Sequence, residues 1–432
     1  MKSLLLLDLT GRVFLKKEKI FYWLVSAFYL SLFFPDMPVI NNILIGATVI
    51  HSCYYNTLPE KWRLLRERKE IWLMILFYLW QIVSAILSAD RQEALVMIVR
   101  RLPLLVFPLC IGTLYIREEL KDRILLSYCF FTTVGALACM VYALYQYSHT
   151  GRAGDLYEDN LTVAIGRPSV YVAMAVNLAL FTYVYLLQKK SFAIQYKGLV
   201  FLSIAFLVIF HYMLASRTSI IMLYGGFIAF TVWHYGRHKE FLRGIMLIAV
   251  LLAGAFWMIQ AFPRTANRFK ELKNANYMSR AGEGRGAANP DQLNGTNIRF
   301  SVWNCGWDLF QRHPWSGVPL GDKEDKLMGV FRERGFEYAI DARLNMHNTY
   351  LDVLCNLGIA GLLVFLLGYL VLPLMASVRA RDGLGLFIIL AFAFAMTTET
   401  WPDRSIGCIM LGFFLSLVSA WKGDSGAGEG AG

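Results

Sequence analysis

Apolar runs of about twenty residues recur along the chain, and they constrain its fold more than any other feature. Each is long enough to cross the ~30 Å hydrocarbon core of a bilayer as one helix. Only helices and closed barrels satisfy their backbone groups in lipid, and uninterrupted apolar runs fit helices. Breaking the 432-residue sequence at its charged positions gives twelve candidate spans, near 20–34, 37–55, 71–88, 102–116, 123–147, 168–188, 198–215, 218–236, 243–261, 348–375, 383–399 and 405–421. Composition agrees: 57% of residues are hydrophobic and 17% charged, where a soluble domain is nearer a quarter charged. A soluble enzyme, a disordered chain and a secreted disulfide scaffold are excluded. The expected fold is an all-α polytopic membrane protein with about twelve transmembrane helices.

The spans divide the chain into a membrane bundle over 1–261 (about nine helices), a polar segment at 262–346 lying between helices 9 and 10, C-terminal membrane helices over 347–421 and a tail at 422–432 rich in Gly, expected to be flexible. The start, MKSLLLLDLTGRVFLKK, has too short an apolar stretch for a signal peptide and is expected to form a cytoplasmic or interfacial arm. The seven cysteines show no paired spacing, so neither a disulfide framework nor a thiolate metal site is indicated.

The net charge of +11 could suggest nucleic acid, but its distribution points to topology. With a cytoplasmic N-terminus, 22 of the 42 Lys and Arg fall in inside segments, 7 in the short outside loops and 13 in the long polar segment. That bias in short loops is the positive-inside pattern. It places both termini in the cytoplasm and the polar segment outside, in the periplasm of a Gram-negative cell.

The outer side then holds the residues capable of chemistry. Arg217 sits between two apolar runs, Arg167 precedes Pro168, and Arg100, Arg101 and Arg404 lie on the same side. A charge at membrane depth is costly and is usually paired, set in a cavity or functional. Guanidinium groups converging there suit a phosphate or pyrophosphate, which they bind bidentately. Within the polar segment, 280–296 is rich in Gly, Ala and Asn and reads as mobile. The following stretch predicts an amphipathic helix with an aromatic stripe of Phe300, Trp303, Trp307 and Phe310, ending before Pro314, with Arg299 at its edge. A second short helix is predicted over 323–335; Asp322, Glu324 and Asp325 beside it read as a solvated helix start, and no metal site is expected. His347 closes the segment just before an apolar run, placing an imidazole at the membrane interface, suited to accept a proton from a hydroxyl.

These residues carry a family resemblance. HNTYLDVLCNLGIAGLLVFL, with His347, Asn348, Tyr350, Leu351, Gly358 and Gly361, resembles the hallmark of the O-antigen ligase and polymerase superfamily. NIRFSVWNCGWDLFQRHPWSGVPLGD is similar to the family's Arg-x-x-x-Trp helix followed by His-Pro-x-x-Gly, through Arg299, Trp303, His313, Pro314, Gly317 and Gly321, with Pro319 where a glycine is commoner. SRTS at 216–219 and ETWPDRSIG at 399–407 resemble two further family segments. The resemblance implies a metal-independent, inverting glycosyltransferase of the GT-C type, without cofactor, in the bacterial inner membrane with its active site facing the periplasm. Its donor would be a glycan on undecaprenyl pyrophosphate and its acceptor a sugar hydroxyl of the lipid A core. It implies His347 as the base and Arg217 and Arg299 as the groups on the donor pyrophosphate; Asn348, Tyr350 and Arg404, within its motifs, are candidate substrate contacts, and sidedness alone adds Arg167, Arg100 and Arg101. The alternatives are a polymerase that joins lipid-linked repeat units, a transporter of lipid-linked sugars, and a non-catalytic partner of the assembly machinery.

Overall fold

A computed structural model describes residues 15–33, 38–189, 197–237, 239–273 and 295–421. The basic arm before residue 15, the tail after 421 and most of the 280–296 stretch expected to be mobile lie outside the described residues. Among the described residues all regular structure is helical. The N-terminal part contains α1 (Lys16–Ser31), α2 (Pro38–Tyr55), α3 (Leu58–Glu67), α4 (Lys69–Ile86), α5 (Arg91–Arg101), α6 (Pro103–Cys110), α7 (Glu118–Thr150), α8 (Ser169–Leu187), α9 (Lys197–Met213), α10 (Arg217–Arg237) and α11 (Phe241–Ala261). The polar segment follows as α12 (Pro263–Lys273), α13 (Gly295–Arg312) and α14 (Lys323–Glu333). The last part is α15 (Thr349–Leu366), which runs through a π-helical turn at Leu367–Val371 into α16 (Leu372–Arg379), then α17 (Gly383–Ala395) and α18 (Ser405–Ala420).

Among the described residues five runs are long and apolar enough to cross a membrane: Lys69–Ile86, Glu118–Thr150, Ser169–Leu187, Phe241–Ala261 and Thr349–Arg379. Shorter apolar helices lie at Lys197–Met213, Arg217–Trp233, Gly383–Ala395 and Ser405–Ala420. Helices stand near each expected span, but the one expected at 102–116 is different. Only the eight-residue α6 forms there, with Pro108 inside it, and the chain turns at Ile111. At 1.5 Å per residue α6 reaches about 12 Å, well short of a bilayer. The prolines at 103 and 108 and Gly112 account for the break.

Burial sorts the helices into centre and rim. Every residue of α18 from Ile406 to Ala420 is buried, and α8 is nearly as enclosed. By contrast α11 is almost wholly exposed despite its apolar sequence, as expected of a helix facing lipid. Aromatic rings fill the centre: Phe413 of α18 meets Phe28 of α1 and Phe107 of α6, and Phe414 meets Tyr128 of α7.

The polar segment has its own small core. Val302, Cys305 and Leu309 of α13 pack with Leu327, Val330 and Phe331 of α14 and with Met346 and Cys355. The buried face of α13 is thus its aliphatic one; of the expected aromatic stripe only Phe310 is buried, while Trp307 is exposed. Gly306 decides this, because without a side chain it lets Met346 and Leu351 close on that face.

This core is anchored to the membrane helices by a break in α15. Gly358 leaves the helical conformation at φ 66°, and the loop after α13 docks into the gap. Ile359 N–H donates to Pro314 O at 3.0 Å and Val318 N–H to Cys355 O at 2.7 Å. A Cβ on Gly358 would strike the carbonyl of Trp315, and one on Gly317, itself at φ 69°, would strike the backbone of Asn356.

Candidate active site

A cavity of about 550 Å³ opens where α10, α12, α13 and the end of α17 meet. Arg217 is the first residue of α10, and Arg299 stands one turn into α13. These residues are far apart in sequence, yet both line the cavity, together with Arg268 of α12 and with Glu158, Asp159 and Glu399. Phe300, Trp303, Ile221 and Phe394 supply apolar wall.

The arginines are held by specific partners. Arg217 Nη1 donates to Arg268 O at 2.7 Å and to Thr296 Oγ1 at 3.0 Å, and lies 3.3 Å from Glu271 Oε2. Arg268 Nε donates to Glu158 Oε1 at 2.7 Å. Burial pushes the Arg299 guanidinium below the ordinary arginine value, with the Glu399 carboxylate pulling the other way; arginine nevertheless stays charged at any working pH. Its Nη1 donates to Gly295 O at 3.4 Å, and its Nε is buried without a hydrogen-bond partner among the described residues.

His347 borders this group through Glu399: its Nδ1 lies 3.5 Å from Glu399 Oε2. The backbone around it is unusual, with φ 45° at His347, a region that costs a non-glycine residue of order 1–3 kcal/mol. The surroundings hold it there. His347 N–H donates to Asn345 Oδ1 at 3.1 Å, Trp303 Nε1 donates to Met346 O at 3.0 Å, and Asn348 N–H donates to Thr400 Oγ1 at 3.2 Å. Asn348 then caps α15 by accepting from Leu351 N–H, and Thr349 Oγ1 donates to Glu399 O at 2.7 Å. The turn bearing His347 and the segment bearing Glu399 are therefore laced together.

Beneath them lies a buried charge cluster. Lys323 Nζ sits 2.7 Å from both Asp352 Oδ1 and Asp403 Oδ1. Arg101 Nη2 is 3.1 Å from Asp403 Oδ1 and 3.7 Å from Asp352 Oδ2. Burial opposes ionisation of Asp403, but Lys323 and Arg101 outweigh it and hold its carboxyl below the usual range. Asp403 Oδ2 also accepts from Asn345 Nδ2 at 3.3 Å, which connects the cluster to the His347 turn.

The structure thus brings Arg217 and Arg299 to one cavity, which His347 borders through Glu399 with Asn348 next to it, and sets the remaining candidates apart. Arg101 is consumed by the charge cluster and by Gln81 Oε1 at 2.9 Å. Arg100 Nη1 donates to Asp403 O at 3.3 Å, outside the cavity. Arg404 is exposed, and Arg167 borders a separate small space beside Tyr128, Tyr171 and Phe414. Tyr350 OH donates to Ala393 O at 2.6 Å, a helix-to-helix contact. Asp322 accepts from the N–H groups of Ala89 and Asp90, and Asp325 is exposed. No group of three metal-ligating side chains occurs among the described residues.

Arg268 and Glu271 escaped sequence reasoning because PRTANRFKELK reads as any solvated helix, and Glu158 because the short polar stretch YEDN carries no motif. Glu399 had a signal in the ETWPDRSIG motif, whose Glu resembles the family's. Residues 202–366, which include Arg217, Arg299 and His347, match the family model described as O-antigen ligase. No curated protein matches the chain.

Proposed function

We propose, with the O-antigen ligase family as premise, that the protein transfers a glycan from undecaprenyl pyrophosphate to a sugar hydroxyl of the lipid A core. The observation that carries this is the convergence of Arg217, Arg268 and Arg299 in one partly apolar cavity beside the Glu399–His347 pair. Pyrophosphate is a good leaving group, so the protein has mainly to position the donor, stabilise developing charge and remove the acceptor proton. Arg217 and Arg299 take the pyrophosphate. With Nδ1 directed to Glu399, Nε2 of His347 accepts the acceptor's hydroxyl proton as its oxygen attacks the anomeric carbon. The bond from that carbon to the pyrophosphate oxygen breaks, its electron pair leaves with undecaprenyl pyrophosphate, and the configuration inverts. No step is assigned to a metal.

The lipid substrates set the topology in this reading. The chain crosses the inner membrane about twelve times in a GT-C-like arrangement, both termini are cytoplasmic, and the segment 262–346 covers the cavity from the periplasm. Of the other candidates, Arg167, Arg100 and Arg404 are kept as substrate contacts, whereas Asn348 and Tyr350 shape the His347 turn and the start of α15 and Arg101 serves the buried charge cluster.

A deletion strain tests the reading against a polymerase that uses the same donor. Loss of all polymer from lipid A, with undecaprenyl-linked polymer retained, supports the ligase. Lipid A bearing a single repeat unit supports the polymerase instead.

A further inference from the structure

Two of the cavity's guanidinium groups are bridged by one carboxylate. Glu271 Oε2 faces Arg217 Nη1 at 3.3 Å, and Glu271 Oε1 faces Arg268 Nη1 at 3.5 Å. An anion whose oxygens each meet a different arginine is the arrangement a phosphoryl group would adopt there, with more charge and better reach. The charges argue for exchange rather than addition. Arg217, Arg268 and Arg299 already face Glu158, Asp159, Glu271 and Glu399, so a pyrophosphate added to them would leave the cavity with excess negative charge. It has to replace a carboxylate. Glu271 is the one placed to yield: its bridge distances, 3.3 and 3.5 Å, are longer than the 2.7 Å of Arg268 to Glu158.

We infer that Arg268 is a third ligand of the donor pyrophosphate and that Glu271 is a resident anion which the pyrophosphate displaces on binding. This rests on the pyrophosphate-lipid donor proposed above. Displacement frees Arg217 and Arg268 together, so the carboxylate competes with the donor and sets its affinity. Glu158 keeps Arg268 oriented throughout.

The test is equilibrium binding of undecaprenyl pyrophosphate to the full-length protein in lipid nanodiscs, with undecaprenol as the phosphate-free control. Glu271→Gln keeps the shape and removes the competing charge, so it should bind about three- to tenfold more tightly. Arg268→Gln should bind roughly tenfold or more weakly, with partial recovery in Arg268→Lys. Undecaprenol should bind all variants alike. Tighter binding by Glu271→Gln cannot arise from a damaged fold. Unchanged or weaker binding by Glu271→Gln, with the wild type binding normally, overturns the displacement and leaves the donor assignment standing. A wild-type protein that binds undecaprenol as well as the pyrophosphate lipid overturns the donor assignment, and the inference with it.

Discussion

Replacing Lys323 by Met tests whether the buried charge cluster holds the site together. Lys323 is 4% exposed and its Nζ contacts two carboxylates at 2.7 Å, one of them on the fully buried Asp352. With Arg101 the cluster has two cations and two anions; Met leaves it with one uncompensated buried charge. Breaking a buried pair in this way costs about 3–5 kcal/mol. At about 2–4 °C per kcal/mol the thermal midpoint in detergent should fall by several degrees or more. Adding Asp352→Asn restores the balance between Arg101 and Asp403, so the double variant should recover much of the loss, a coupling that independent sites would not show. Transfer should fall alongside, because Asp403 also accepts from Asn345, which holds the His347 N–H. A midpoint within one degree of wild type, or a double variant no better than the sum of its parts, would refute the clamp.

His347→Ala, Arg217→Ala and Arg299→Ala should each abolish transfer at normal expression, whereas Asp325→Ala, at an exposed position, should leave it intact; glycan on lipid A reads the outcome. Glu399→Gln should lower kcat by on the order of ten- to a hundredfold, less than removal of a general base worth ~10²–10⁴-fold; kcat equal to wild type would show that Glu399 does not orient His347. Gly358→Ala should destabilise the protein by about 1–3 kcal/mol or more, since it combines a left-handed backbone with a Cβ against the Trp315 carbonyl, which thermal unfolding would detect. The depressed Asp403 carboxyl gives its own ion pairs a pH signature: the stabilisation Asp403 contributes is complete above the unfolded aspartate value of about 3.9 and is lost as pH falls through the lower folded value. Thermal midpoints followed from pH 7 to 3, with Asp403→Asn as the flattened control, should show the loss only at the acid end. Activity in EDTA should equal activity without it; loss restored by magnesium would overturn the metal-independent mechanism.

Much of the fold was legible because lipid imposes a simple rule on sequence: spans must be long, apolar and helical. The helices near residues 69–86, 118–150, 169–187 and 241–261 follow from that rule directly. It fails at 102–116, where hydropathy counts apolar residues but does not register that Pro103 and Pro108 divide the run. In the site, Arg217, Arg299 and His347 stood out because each is a polar residue at a membrane boundary or in a motif. Sidedness also pointed to Arg100 and Arg101, yet it cannot distinguish an arginine in a cavity from one buried against aspartates. Arg101 is the second kind, since its partners Asp352 and Asp403 come from elements some 250 to 300 positions away in the chain. Arg268 and Glu271 were invisible for the opposite reason: on their own helix they are an ordinary i,i+3 pair, and only the approach of α10 and α13 gives them a role.

The most direct measurement is transfer by the purified protein supplied with undecaprenyl pyrophosphate-linked glycan and lipid A core. The account predicts a new glycosidic bond to the core of inverted configuration, release of undecaprenyl pyrophosphate, and no product with His347→Ala. Donor consumed only to lengthen lipid-linked glycan, or both lipids recovered unchanged by an otherwise folded protein, would contradict it.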